Sequence, residues 1–369
     1  MNYQVDKKAK ESAYLQLYTQ IRRDIEKGLL KHGEKLPSKR LLSKETGVSV
    51  ITVEHTYGLL SDEGYVISRP KSGFYVDFET GDGRREVLRS GDTPEDDNGE
   101  KEKPGSTRNS PLISAPADFP FSVYAKVMRY VISEYDTKIL RKSPNQGTGE
   151  LRGAISGYLR RSRGILVKPE SIVVGSGAEY LYGQIAQLAG AGTLFGLEDP
   201  SYEKIRKVYE ANGARCEMLK LGRSGILSGE LHDSEAKILH VTPFRSYPSG
   251  VTASAPKRHE YAKWAAAGDR LIVEDDYDSE FASVRKQIDT IYSLIPEKVI
   301  YVNTFSKTLA PSMRMGYMVL PEKLLKKYQK ELGFYSCTVP VFEQYVLAEF
   351  INRGHLERYI NRRRRKEAE

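Results

Sequence analysis

Cysteine and tryptophan are scarce in this chain of 369 residues, with two of the first and one of the second. Cys216 and Cys337 stand far apart. That spacing excludes a zinc ribbon, a CxxC redox motif and a disulfide framework, and it leaves two buried free thiols in a reducing compartment. Long apolar runs are missing too: none nears the ~20 residues that cross a bilayer. The opening "MNYQVDKKAKES" has no apolar signal core, so the expected location is the cytoplasm, with no membrane partner. No internal repeat is evident. In excess is positive charge, 57 Lys and Arg against 49 Asp and Glu, which permits a polyanionic partner.

The length favours two domains of unequal size. Composition shows where they part. Residues 79–110, "ETGDGRREVLRSGDTPEDDNGEKEKPGSTRNS", hold no aromatic residue and too little apolar surface to offset their ordering entropy, so they read as a flexible linker. It separates a small basic module, residues 11–78, from a large one, residues 111–369.

In the small module Tyr14, Leu17, Tyr18, Ile21 and Ile25 recur at helical spacing, and Gly28 and Gly33 end that helix. Two short helices around a tight turn follow. Ser38 caps the first, Gly47 allows the turn, Ser49 caps the second, and Val53, Tyr57 and Leu60 form its buried side. "YVISRPKSGFYV" then alternates around Pro70 and Gly73 as strand, turn, strand. This order is a winged helix-turn-helix, an α+β unit that fits duplex DNA. The second helix enters the major groove, so Ser49, Ile51, Thr52 and His55 face base edges. Ser38, Lys39 and Arg40 at the first helix, and Arg69, Lys71 and Gly73 on the wing, meet the backbone. From Val50 to Glu63 there is no Lys or Arg, which weighs against tight binding through that helix. The pieces "LPSKR", "GVS", "EGY" and "SGFYV" resemble the GntR family of bacterial transcription factors. In that family an arginine commonly follows Gly-Val-Ser and reads a base; here Val50 stands in its place.

In the large module apolar runs such as "SIVVGSG", "LFGLEDPSY", "KILHVTP", "RLIVEDDYD" and "KVIYVNTFSK" alternate with helical stretches. That alternation argues an α/β domain with a mostly parallel sheet covered on both faces, and ligands beyond the strands' carboxyl ends. Polar clusters follow those runs. A lysine amine can condense with an aldehyde cofactor, and pyridoxal phosphate asks for three more groups: a carboxylate at its ring nitrogen, a donor at its ring oxygen, and an anion site. Lys307 in "NTFSKTLAPSMRMGY" is the candidate amine. Asp275 and Tyr277 supply the first two groups from one strand end. Arg314, Thr304 and Ser306, with backbone donors from Gly175 through Ser176 and Gly177 to Ala178 where a helix begins, supply the third. Tyr202 is a candidate stacking partner.

The order of "SPNQGTGELRGAISGYLRRSRGI", "EDPSY", "TPFRSYPSG", "EDDYDSEF" and "TFSKTLAPSMRMGYMVLP" resembles the fold-type I aminotransferases, and specifically the MocR/GabR branch of the GntR regulators. The resemblance implies that Lys307 is the Schiff-base lysine, Asp275 the pyridine-nitrogen partner and Tyr277 the ring-oxygen partner. Arg314 and Thr304 become phosphate ligands with the Ser176–Ala178 turn, and Tyr202 the stacking residue. It also implies a head-to-tail homodimer and a small C-terminal domain carrying the arginine that holds a substrate carboxylate. Relative to the family the chain reads as truncated there, which disfavours productive transamination. Two further departures are Tyr247, where aminotransferases carry an asparagine, and Arg245, where the regulators often carry a histidine. The terminal run "RRRRKEAE" reads as the solvated face of a helix. Two functions fit. One is a regulator that binds an operator and senses pyridoxal phosphate, an amine or an amino acid; the other is an aminotransferase with an accessory DNA-binding domain.

Overall fold

The apolar stripe of the first module becomes α1 (Ala13–Glu26), which buries Leu17, Tyr18, Ile21 and Ile25. The computed structural model describes residues 3–6, 12–62, 65–69, 72–77, 119–277, 279–281 and 289–368. The predicted linker, and Gly64, Pro70 and Lys71, lie outside the described residues. Two units form, Met1–Ser114 and Ala115–Glu369.

In the first unit each local signal has its physical counterpart. Ser38 Oγ accepts from Leu41 N at 3.2 Å and starts α2 (Lys39–Thr46). Gly47 closes that helix at φ 66°, a left-handed conformation that a Cβ disfavours. At the head of α3 (Val50–Asp62), Ser49 Oγ accepts from Thr52 N at 3.1 Å. Val53, Tyr57 and Leu60 are fully buried. Helices this short are marginal alone in water, so shared burial with α1 holds them. The wing is β1 (Val66–Arg69) paired antiparallel with β2 (Gly73–Val76), placing Arg69 opposite Gly73.

The second unit opens with α4 (Phe121–Tyr135) and α5 (Gly149–Arg163), then β3 (Ile172–Gly175) and α6 (Ala178–Ala189). Next come β4 (Leu194–Asp199), α7 (Glu203–Ala211), β5 (Arg215–Gly222), β6 (Gly225–Ile226), α8 (Ser228–Asp233), β7 (Ile238–Val241) and α9 (Ala255–Ala266). After β8 (Leu271–Asp275) follow α10 (Ile291–Leu294), β9 (Val299–Thr304), α11 (Phe305–Thr308) and β10 (Gly316–Val319). Helices α12 (Glu322–Glu331), α13 (Val341–Asn352) and α14 (His355–Ala368) end it. The strands make one sheet in the order β3-β10-β9-β8-β7-β4-β5-β6. Pairing is parallel from β9 through β8, β7 and β4 to β5, as the apolar runs predicted. Strand β10 runs antiparallel between β9 and β3. One apolar cluster joins α4, α5, α13 and α14 to the sheet (Val131, Ile155, Leu347, Tyr359 with Tyr301 and Tyr317). Another packs α6, α7 and α12 on it (Leu181, Tyr209, Tyr328 with Val302 and Met318).

Cys216 and Cys337 are free thiols, half-buried rather than buried. Among the described residues no helix is long and apolar enough to cross a membrane. Because Ser38 satisfies one of the helix's otherwise unpaired amides, Ser38→Ala should destabilise the winged unit by ~1 kcal/mol. Faster amide exchange confined to α2 and α3 would register it; unchanged exchange there would show the cap to be idle.

Candidate functional site

Strand direction brings the polar clusters together. Since β10 is antiparallel to both β9 and β3, the carboxyl ends of β3, β9, β8, β7 and β4 share one edge of the sheet. Gly316 opens β10 opposite both Thr304 and Gly175, so Arg314, the Thr304–Lys307 turn and the Gly175–Ala178 turn lie at that edge. Asp275 ends β8 beside Val302 of β9.

Asp275 is buried, and its two oxygens differ. Oδ2 accepts from the Tyr182 phenol at 2.5 Å. His240 Nε2, from β7, lies 3.8 Å from the same oxygen, while His240 Nδ1 is 2.7 Å from the Tyr209 hydroxyl. Oδ1 is buried with no hydrogen-bond partner among the described residues. An unsatisfied buried acceptor costs about 1–3 kcal/mol, and more when charged. The arrangement is therefore one carboxylate oxygen anchored and the other left to receive a donor. Two residues on, Tyr277 presents its ring 5.5 Å from Lys307 Nζ. Tyr277, two residues after Asp275, thus lies beside Lys307. Tyr182, Tyr209 and His240, from α6, α7 and β7, were not singled out in the sequence.

The candidate anion cradle draws on three segments. Gly177, at φ 93°, precedes α6, and a Cβ there would come within 3.3 Å of Arg314 Nη2, so a side chain would crowd the guanidinium. Ala178 begins that twelve-residue helix, where the first amides lack intrahelical partners and favour an anion. Ser306 Oγ is buried and makes no hydrogen bond among the described residues. Other groups are engaged: the Thr304 hydroxyl donates to Met315 O at 3.1 Å and accepts from Ser306 N at 3.2 Å. Ser176 N donates to Thr338 Oγ1 at 3.0 Å. Glu179, which the sequence reading passed over, holds Arg314 Nη2 at 3.3 Å and Lys204 Nζ at 3.1 Å. An incoming dianion would compete with that carboxylate for Arg314.

Tyr202, at the head of α7, meets Tyr247 edge-on, centroids 6.0 Å apart. The departure at Tyr247 therefore supplies an aromatic neighbour. Buried Glu198 accepts from Ser246 Oγ at 2.6 Å, tying the end of β4 to that loop. Below the site, Arg163 Nη2 pairs with buried Asp276 at 2.5 Å, and the Tyr301 hydroxyl donates to the same carboxylate. In the terminal run Arg362 and Arg364 are exposed, as expected of a solvated face, and two arginines also make contacts: Arg364 Nε donates to the Glu280 carbonyl, and the Arg363 guanidinium lies 4.3 Å from the Phe281 ring centroid. A periodic pattern of charge could not show that the run packs on the turn after Tyr277.

On the winged unit Arg40, Ser49, Ile51, His55 and Arg69 are exposed. Lys39 Nζ is held by Glu54 at 2.6 Å, a pairing across fifteen residues that the sequence reading missed. Ser49 and Thr52 hydroxyls bond each other at 2.8 Å, and His55 leans edge-on to Tyr14. Arg69 stacks over Tyr75, 4.6 Å from its centroid. Lys71 lies outside the described residues.

Residues 13–76 match the bacterial regulatory proteins of the gntR family, and residues 118–368 match aminotransferase class I and II. Across both parts the chain is 34% identical to the HTH-type transcriptional regulator YdeL of Bacillus subtilis, over 95% of this chain and 76% of that protein. The chain is a GntR-family regulator of the MocR/GabR type. Its similarity to the pyridoxine biosynthesis transcriptional regulator PdxR of Corynebacterium glutamicum is 30% identity over 95% of this chain and 75% of that one. The multiple substrate aminotransferase of Thermococcus profundus superposes with a TM-score of 0.62 at 25% identity, over 69% of this chain and 66% of that one. The chain thus spans about three quarters of the curated relatives and just under two thirds of that enzyme. This MocR/GabR-type chain pairs a winged helix-turn-helix with a fold-type I aminotransferase fold.

Burial raises the Glu198 carboxyl to about 8, and burial followed by the neighbouring Asp276 charge raises Glu274 to about 7. Both sit above their ordinary value of 4.5, so the folded state binds protons more tightly than the unfolded one. Their contribution is full below that value and is lost as pH rises through 7 and 8. Thermal denaturation should therefore show a falling melting temperature across that window, and Glu198→Gln should flatten its upper part; an identical slope in the variant would refute this origin.

Proposed function

We propose that this regulator binds pyridoxal 5'-phosphate in the larger unit and uses it to sense an amine or amino acid, with the winged unit, residues 11–78, holding an operator. The observation that carries the reading is the buried Oδ1 of Asp275, without a hydrogen-bond partner among the described residues and two residues before the tyrosine that faces Lys307, a placement that suits a protonated ring nitrogen. When bound, the cofactor supplies an aldehyde that condenses reversibly with primary amines. Lys307 would be the resident amine. Asp275 would accept the ring N–H and keep a proton there, while Tyr182 and His240 hold the carboxylate in place. Tyr277 would donate to the ring oxygen, and Tyr202 would cover a ring face. Arg314, Ser306, Thr304 and the Ser176–Ala178 turn would hold the phosphate.

An effector amine would compete with Lys307 and release it. Only a difference in affinity between two conformations can then shift their populations, so the signal must lie in what Lys307 and its neighbours do once released. On DNA, Arg40 and Arg69 would meet phosphates, and Ser38, Lys39 and Gly73 would shape the contact. The family pattern favours a cytoplasmic homodimer on paired half-sites. The aminotransferase fold keeps transamination as the second reading, and keto-acid formation from an amino donor would favour it.

Titrating the full chain with pyridoxal phosphate should give an absorption band at the visible edge that Lys307→Ala abolishes, and Asp275→Ala should weaken binding ~10–100-fold, the range of a charge-assisted hydrogen bond. Unchanged affinity and spectrum in both variants would contradict the assignment. For the DNA arm, Arg40→Ala should weaken duplex binding and reduce the logarithmic salt slope by about 0.9, the signature of one lost phosphate contact. A slope identical to wild type would remove Arg40 from the interface.

A further inference from the structure

Apolar side chains, not cationic ones, stand at the head of the helix that a winged helix-turn-helix presents to DNA. Val50 and Ile51 open α3 and are 42% and 64% exposed. Leu41, on α2, is 48% exposed. No Lys or Arg occurs from Val50 to Asp62. The polar residues of the same turns are turned toward neighbours: Ser49 toward Thr52, His55 toward Tyr14, and Glu54 toward Lys39. Exposed Arg40, Lys44 and Arg69 belong to α2 and the wing. The helix head thus exposes two apolar side chains beside polar ones engaged with neighbours, and the cations lie on the elements that flank it.

Major-groove base edges present hydrogen-bond donors and acceptors with one apolar exception, the C5-methyl of thymine. Reading guanine bidentately takes Arg or Lys, which α3 lacks. An isoleucine or valine pressed on a donor or acceptor would leave that group without its water and without a partner. Pressed on a methyl, the same side chain gains by removing apolar surface from water on both sides. Branching at Cβ restricts both residues to essentially one helical rotamer, so little freedom is lost on contact. We propose that Val50 and Ile51 read thymine methyl groups in the major groove, so that the operator half-site is specified there by thymine rather than guanine. This rests on the reading that the winged unit binds duplex DNA.

The test enriches duplexes from a randomised library with the full chain, then replaces each thymine of the preferred half-site singly with deoxyuridine, which removes the methyl and keeps the pairing. At one or two positions the replacement should weaken binding by about fourfold each, the loss of one buried methyl. Ile51→Ala and Val50→Ala should each abolish the sensitivity at one of those positions, and Ile51→Val should retain it. The protein is unaltered in the deoxyuridine arm, so misfolding cannot imitate the result. Salt-sensitive binding with no effect of deoxyuridine anywhere would overturn methyl reading and leave the regulator reading standing. Failure of any duplex to bind at low salt would overturn both.

Discussion

A buried carboxylate with one oxygen tied and one free is the constraint on which the larger unit's site depends. Asp275 Oδ2 is fixed by Tyr182 from α6 and approached by His240 from β7, itself joined to Tyr209 from α7. Two elements thus meet at one atom and a third braces the histidine, while that atom's twin, Oδ1, has no hydrogen-bond partner among the described residues. Folding alone gives no return for that arrangement. A cationic donor arriving from outside would offset its cost, which is the physical basis of the proposed cofactor site.

The sheet explains how the remaining groups come to meet that atom. With β10 inserted antiparallel between β9 and β3, Gly316 faces Thr304 on one side and Gly175 on the other. The lysine turn, the helix start and Arg314 are thereby held at one edge, a few residues from the end of β8. Beneath it, the Arg163–Asp276 pair and the Tyr301 hydroxyl anchor the residue that follows Asp275. Arg364 anchors the turn after Tyr277. A side chain of the last helix therefore contacts the segment that follows Tyr277 by three residues.

Much of this was legible in the sequence where the determinant was local. Ser38, Gly47 and Ser49 act within three or four residues of themselves, and the helix-turn-helix followed from them. The apolar runs gave the parallel strands because strands buried on both faces need continuous hydrophobicity. That Tyr277 would lie beside Lys307 was readable because one strand end and one turn carry them. Partners from other elements were not. His240, Thr338 and Glu179 lie on separate segments, and Lys39–Glu54 joins two helices through a contact that no period reports. The terminal arginines show the same limit: Arg362 and Arg364 are exposed, as a charge run usually is, and only tertiary packing shows that Arg363 lies over Phe281 and that Arg364 also reaches the Glu280 carbonyl.

The protonation state at the ring nitrogen tests the central claim most directly. Nitrogen NMR of the full chain loaded with pyridoxal phosphate labelled at that atom should show a protonated ring in the wild type and an unprotonated one in Asp275→Asn. An unprotonated ring in the wild type, or no change on the substitution, would mean that the free oxygen of Asp275 waits for something else.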